Sequence, residues 1–167
     1  MHPPFVHDRV AATGVVLVVE NHHTYTSALR VLRDRDRGVG VLVYGAGTAF
    51  RGSVTYLADL DPPAITVWYF GDLDGEGLRI PARAAQTATA AGLPAVRPAA
   101  PLYERLLQRN RSRPAKRAYP PEEAVALAAW LPGPQRDRAA ALLVAGRRLP
   151  QEAVTFEDLA ELDAWLQ

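Results

Sequence analysis

Apolar residues in this chain gather in short unbroken runs. Val15-Val16-Leu17-Val18-Val19 is wholly β-branched or Leu, and Val67-Trp68-Tyr69-Phe70 is wholly apolar. Runs of this length without polar alternation fit strands covered on both faces, as in a parallel sheet. The pattern predicts strands at 14–19, 39–44 and 64–70, with a short fourth at 95–99. Between them the spacing turns helical. Ala28, Leu29 and Leu32 mark the inner side of a helix over 27–33. Thr48 is placed to cap a helix running to about residue 60, which Asp61-Pro62-Pro63 breaks. An Ala-rich helix over 75–91 stops at Ala91-Gly92-Leu93-Pro94. Strand and helix thus alternate over 14–100, the order of an α/β sandwich with right-handed crossovers.

The remainder has another texture. A helix is expected over 101–107, then a basic, proline-interrupted loop over 109–117. Pro121-Glu122-Glu123 opens a helix toward Trp130, with proline and acids in its first turn. Leu131-Pro132-Gly133-Pro134 ends it, and a further helix spans 135–145. Thr155-Phe156-Glu157-Asp158 reads as a capping box for a last helix ending near Leu166. Trp130 and Trp165 are expected to pack helices. The division is a lead-in over 1–13, an α/β core over 14–100, and a basic loop with a helical extension packed on that core over 101–167.

Composition narrows the possibilities. The 167 residues are 49% hydrophobic, enough for a sizeable core, and suit one domain. Net charge is +1, so any basic surface must be local. Cysteine is absent, which excludes disulfides and thiolate metal sites. No apolar run approaches the roughly 18–20 residues that span a bilayer. Met1-His2-Pro3-Pro4 lacks the regions of a signal peptide, so a cytoplasmic protein without membrane contact is expected.

The chemistry concentrates where two apolar runs end. The first ends in Glu20, the other in Gly71-Asp72-Leu73-Asp74-Gly75-Glu76-Gly77. In an open α/β sheet, ligands bind outside the carboxyl ends of the strands. Three carboxylates gathered there repel one another, and a bound cation removes that cost. Magnesium prefers oxygen ligands and keeps several waters, so Glu20, Asp72 and Asp74 with a substrate phosphate suffice for it. Glu76 suits the positive end of the following helix. Asn21-His22-His23 follows Glu20. If the strand continues there, the two imidazoles face opposite ways, which favours a solvated or supporting role over one shared ion. Gly45-Ala46-Gly47-Thr48-Ala49-Phe50 is an incomplete Gly-x-Gly-x-x-Gly and reads as a strand-to-helix turn near phosphate, from which Arg51 reaches a DNA backbone. Arg109, Arg111, Arg113, Lys116 and Arg117 form a basic run suited to a phosphate backbone, without sequence preference.

An apolar strand ending in Glu, followed by one ending in Asp-x-Asp with Gly close behind, resembles the Toprim domain of topoisomerases, primases and some nucleases. Val18-Val19-Glu20-Asn21, Tyr44-Gly45-Ala46-Gly47 and the run from Trp68 to Ile80 are similar to the carboxy-terminal Toprim-like domain of the Wadjet plasmid-defence nuclease subunit. That domain in turn resembles the one in the A subunit of topoisomerase VI. The resemblance covers residues 14–100, and Gln151-Glu152 fits it further along. It implies a Toprim-like Rossmannoid sandwich, a parallel sheet of about four strands plus a helical carboxy-terminal extension. It further implies Glu20 as metal ligand or general acid/base, Asp72 and Asp74 as Mg²⁺ ligands with Mn²⁺ as substitute, and Glu152 as a weaker metal candidate. The implied activity is hydrolysis of DNA phosphodiesters in plasmid or phage defence. The implied partners are DNA, a condensin-like ATPase complex and a second copy of the chain. No tyrosine stands out as a nucleophile, so hydrolysis is expected rather than transesterification. In the resembling family an amino-terminal arm precedes this domain, so a fragment of a longer protein or a stand-alone homologue is expected.

Two other readings fit parts of the pattern. Asp72-Leu73-Asp74-Gly75 also resembles the nucleophile motif of haloacid-dehalogenase-like phosphatases, with Asp72 as nucleophile. There Thr or Val usually follows the Gly, whereas Glu76 follows here; Lys116 is the single lysine, and no later paired-Asp motif is apparent. The other reading is a non-catalytic module that binds nucleic acid or a partner.

Overall fold

The computed structural model describes residues 5–167; the first four residues of the expected lead-in lie outside them. The chain runs β1 (Val6–Arg9), β2 (Val15–Val19), α1 (His22–Asp34), β3 (Val41–Tyr44), α2 (Phe50–Ser53), β4 (Thr66–Phe70), α3 (Gly75–Ala90) and β5 (Val96–Pro98). It continues as α4 (Ala100–Arg109), β6 (Arg113–Pro114), α5 (Pro121–Ala128), α6 (Gly133–Val144), β7 (Arg147–Arg148) and α7 (Phe156–Glu161). Five strands form one mixed sheet in the order β1-β3-β2-β4-β5. The expected α/β class holds. The strands at 14–19, 39–44, 64–70 and 95–99 form a parallel set, each within two residues of its expected bounds.

The sheet has five strands rather than four because the lead-in contributes one. β1 pairs antiparallel with β3 at the sheet edge. Val6 is 62% exposed, so this edge strand has no buried apolar face to announce it.

Within β2 the side chains alternate between two cores. Val16 and Val18 join Val41, Val43, Val67 and Tyr69 under α2 and α3. Leu17 and Val19 join Leu42 and Phe70 under α1, α4 and the later helices. The helical extension is therefore built into one face: Ala128, Leu143, Leu159 and Trp165 share the core of the strands they cover. Trp165 is fully buried, and its indole N–H donates to Leu159 O at 3.1 Å. Trp130 stacks edge-on against Tyr69 and Tyr103.

Three elements depart from expectation. The helix expected over 27–33 begins at His22, because Asn21 caps it by accepting from Thr24 N at 3.1 Å. His22 and His23 are thus exposed first-turn residues of a helix, not strand neighbours. The helix expected from Thr48 is broken into 3₁₀ turns over Gly47–Ala49 and Val54–Asp59 on either side of α2. Thr48 makes no cap, because the entry position is Ala46, in the left-handed conformation. The last helix has the expected capping box of Thr155 and Asp158 but ends at Glu161. Among the described residues no helix is long and apolar enough to cross a membrane.

Candidate metal centre

β2 and β4 are hydrogen-bonded neighbours, with Val19 beside Phe70, so the residues leaving them emerge together. Glu20 N donates to Phe70 O at 3.2 Å, which carries the pairing one residue past the strand. Asp72 and Asp74 follow on the loop into α3. The structure thus brings Glu20 and the aspartate pair to one sheet edge.

Each carboxylate has its own anchor. The Tyr69 hydroxyl donates to Glu20 Oε2 at 3.1 Å, and Gly71 supplies the space, since a Cβ there would collide with that oxygen. Asp72 Oδ1 accepts from Gln151 N at 2.7 Å. Asp74 caps α3, with Oδ1 accepting from Gly77 N at 2.7 Å. Gly77 is required in turn: a Cβ on it would strike Asp72 O. Glu76, in the first turn of α3, is exposed and paired with Arg79.

The electrostatics follow from this crowding. Burial first, and then the charges of Asp72 and Asp74, push Glu20 up to about 7, although the Tyr69 hydrogen bond opposes the shift. Burial also raises Asp72, against the hydrogen bond from Gln151 N. Tyr69 and Tyr103 lie well above the ordinary phenol value, chiefly through burial, so both remain protonated.

The donor set is all oxygen, which suits a hard cation such as Mg²⁺. Asp72 Oδ2 and Asp74 Oδ2 each face the Arg148 guanidinium at 3.7 Å, so a positive group already sits against the pair. Among the described residues no group of three or more Asp, Glu or His side chains is already gathered for a metal ion. Magnesium sites commonly use only one or two carboxylates, with waters and substrate phosphate completing the shell. The aspartate pair fits that pattern.

A family model described as "Protein of unknown function C-terminus (DUF2399)" matches residues 5–162. The chain belongs to the DUF2399 carboxy-terminal family. No curated protein and no solved structure matches it. The DUF2399 match runs from the threshold of β1 to just past α7, so it takes in the helical extension together with the sheet.

That extension closes the edge that carries the carboxylates. Gln151 is fully buried; its amide N–H donates to Phe70 O at 2.7 Å and its Oε1 accepts from Asn21 N at 2.7 Å. One side chain therefore ties together the ends of β2 and β4. Leu149 pairs with Leu73, the residue between the two aspartates, through mutual backbone hydrogen bonds of 2.9 and 3.1 Å. Glu152 is exposed and accepts from Asn21 Nδ2 at 3.3 Å, a place beside the site rather than in it.

The basic residues separate into groups. Arg109 is the last residue of α4 and is committed, with Arg105, to buried Asp158. Arg111 is exposed, and Arg113 pairs by backbone with Arg148 across β6 and β7. Lys116 and Arg117 border a cleft of about 150 Å³ with Asp74, Gly75, Tyr119 and Arg148. Arg51 lies on α2, beyond the loop whose Gly47 borders Glu20: a Cβ there would stand 3.6 Å from Oε1. Arg148 and the positioning role of Gln151 escaped sequence reasoning. Arg147-Arg148 beside Gln151-Glu152 offered a signal, but nothing in the spacing tied either pair to residues 72–74.

Proposed function

We propose that this domain is a Toprim-type, Mg²⁺-dependent nuclease that hydrolyses DNA phosphodiesters. The observation that carries the reading is the exit of Glu20 and the Asp72/Asp74 pair from adjacent parallel strands, whose ends Gln151 ties together through Asn21 N, Phe70 O and Asp72 Oδ1.

Asp72 and Asp74 would hold the ion through their Oδ2 atoms, Mn²⁺ substituting. When bound, the ion supplies polarisation of a phosphodiester oxygen and a lowered pKa for attacking water. Glu20, raised to about 7, holds a proton near neutrality and serves as general acid/base, with Tyr69 fixing its carboxylate. Lys116 and Arg117 hold the DNA backbone beside the aspartates, with Arg51 and Arg111 as outlying contacts. By resemblance the biological setting is Wadjet-type plasmid defence. The partners there are a condensin-like ATPase complex and a second copy, so cleavage is measured both for the chain by itself and for the assembled protein.

Asp72→Asn and Asp74→Asn test the reading, because asparagine keeps the hydrogen bond to Gln151 N and the cap on α3. Both variants should fold and lose Mg²⁺- or Mn²⁺-dependent DNA cleavage by at least about a hundredfold. Wild-type cleavage by either variant would refute the metal site. Trapping of an aspartyl-phosphate analogue on Asp72 would instead favour the phosphatase reading.

A further inference from the structure

Arg148 makes a looser ion pair than the two arginines that meet Asp158. Arg105 reaches Asp158 at 2.6 Å and Arg109 Nε reaches both Asp158 oxygens at 3.0 Å, closed, charge-assisted hydrogen bonds. Arg148 stands 3.7 Å from Asp72 Oδ2 and 3.7 Å from Asp74 Oδ2, beyond hydrogen-bond length to either. It neutralises the pair without locking onto it.

Its backbone, by contrast, is firmly placed. Arg148 pairs with Arg113 across β6 and β7, and the next residue, Leu149, is bonded at both N and O to Leu73. The guanidinium therefore hangs from a fixed point beside the aspartates. Its side chain is 32% exposed and borders the cleft lined by Lys116 and Arg117. A long side chain on a rigid anchor has two polar surroundings within reach, the carboxylates and the basic cleft.

We infer that Arg148 is an exchangeable counter-cation of Asp72 and Asp74, which yields the pair to a divalent metal and turns into the cleft to bind a phosphate oxygen. This rests on the metal-centre reading above and adds a residue that reads whether metal is present. Metal and arginine compete for the same oxygens. Removing the guanidinium must therefore tighten metal binding, whereas damage to the site would weaken it. Phosphate held beside the metal gains a bidentate partner only after the exchange.

The test is calorimetric titration of Mn²⁺ into the full chain without DNA, for the wild type and Arg148→Ala. The alanine variant should bind Mn²⁺ about two- to fivefold more tightly. With Mn²⁺ saturating, it should bind a short DNA duplex more weakly than the wild type does. Arg148→Gln keeps the alkyl stem and carries the same expectation, so it decides the matter if the alanine variant folds poorly. Unchanged or weaker Mn²⁺ binding in a cooperatively folding variant overturns the exchange. Absence of Mn²⁺ binding to the wild type and both variants overturns the metal centre itself, and the two failures are distinguishable.

Discussion

Glu20 is an acid that folding makes harder to ionise. Its value of about 7, against an ordinary 4.5, means the folded chain keeps a proton that the unfolded chain has already released. Stability in the absence of metal should therefore fall as pH rises from 4.5 to about 7, by up to about 3 kcal/mol, and level off above. Glu20→Gln should remove that slope and be the more stable form at pH 8. Urea denaturation in chelator across this range checks it, and parallel pH profiles for the two proteins would contradict it. Gly71 leaves room for the same acid. Gly71→Ala places a methyl against Glu20 Oε2 and the Tyr69 ring, and should cost about 1–3 kcal/mol, read as a lowered thermal midpoint.

Asp158 decides how the last element is held. It is fully buried, closes the capping box of α7, and takes hydrogen bonds from Arg105 and Arg109 of α4. Burial alone would raise its pKa, but the bonds from Arg109, Thr155 N and Arg105 outweigh it and hold the group at about 2. Its contribution is present above pH 3.8 and is lost as pH falls toward 2. Asp158→Ala should cost about 1–3 kcal/mol, because it removes the capping box of α7 and the charge-assisted bonds from two part-exposed arginines; no loss in denaturant titration would show α7 to be held by apolar contacts alone. The capping box was legible because Thr155 and Asp158 are three positions apart. The four parallel strands and α3 were legible for a similar reason, each being a local run of one character. β1 was not, since an exposed edge strand has no such run. Nor was the splitting of the helix after Gly47, where a left-handed entry at Ala46 overrides propensity.

Across the whole molecule the basic residues sort by what the fold asks of them. Lys116 and Arg117 border the cleft beside the aspartates, Arg117 in an exposed pair with Glu123 at 2.8 Å, whereas Arg109 is spoken for by buried Asp158. Lys116→Ala and Arg117→Ala should each reduce the salt slope of DNA binding by about 1, and Arg109→Ala should leave that slope unchanged. Equal effects of all three would mean that the entire basic run follows DNA. In sequence the run is uniform, and only packing against α7 removes Arg109 from it. The aspartate pair was legible for its chemistry, but its partners were not. Asp72 meets Gln151 from 79 positions away, and Asn21 meets it from 130. This distance also fixes an order of events. A ribosome makes the strands that carry the acids long before it makes the glutamine that joins them. The growing chain therefore exposes Asp72 without its partner until Gln151 has been made, and the edge that carries the acids is completed well after the strands that support it.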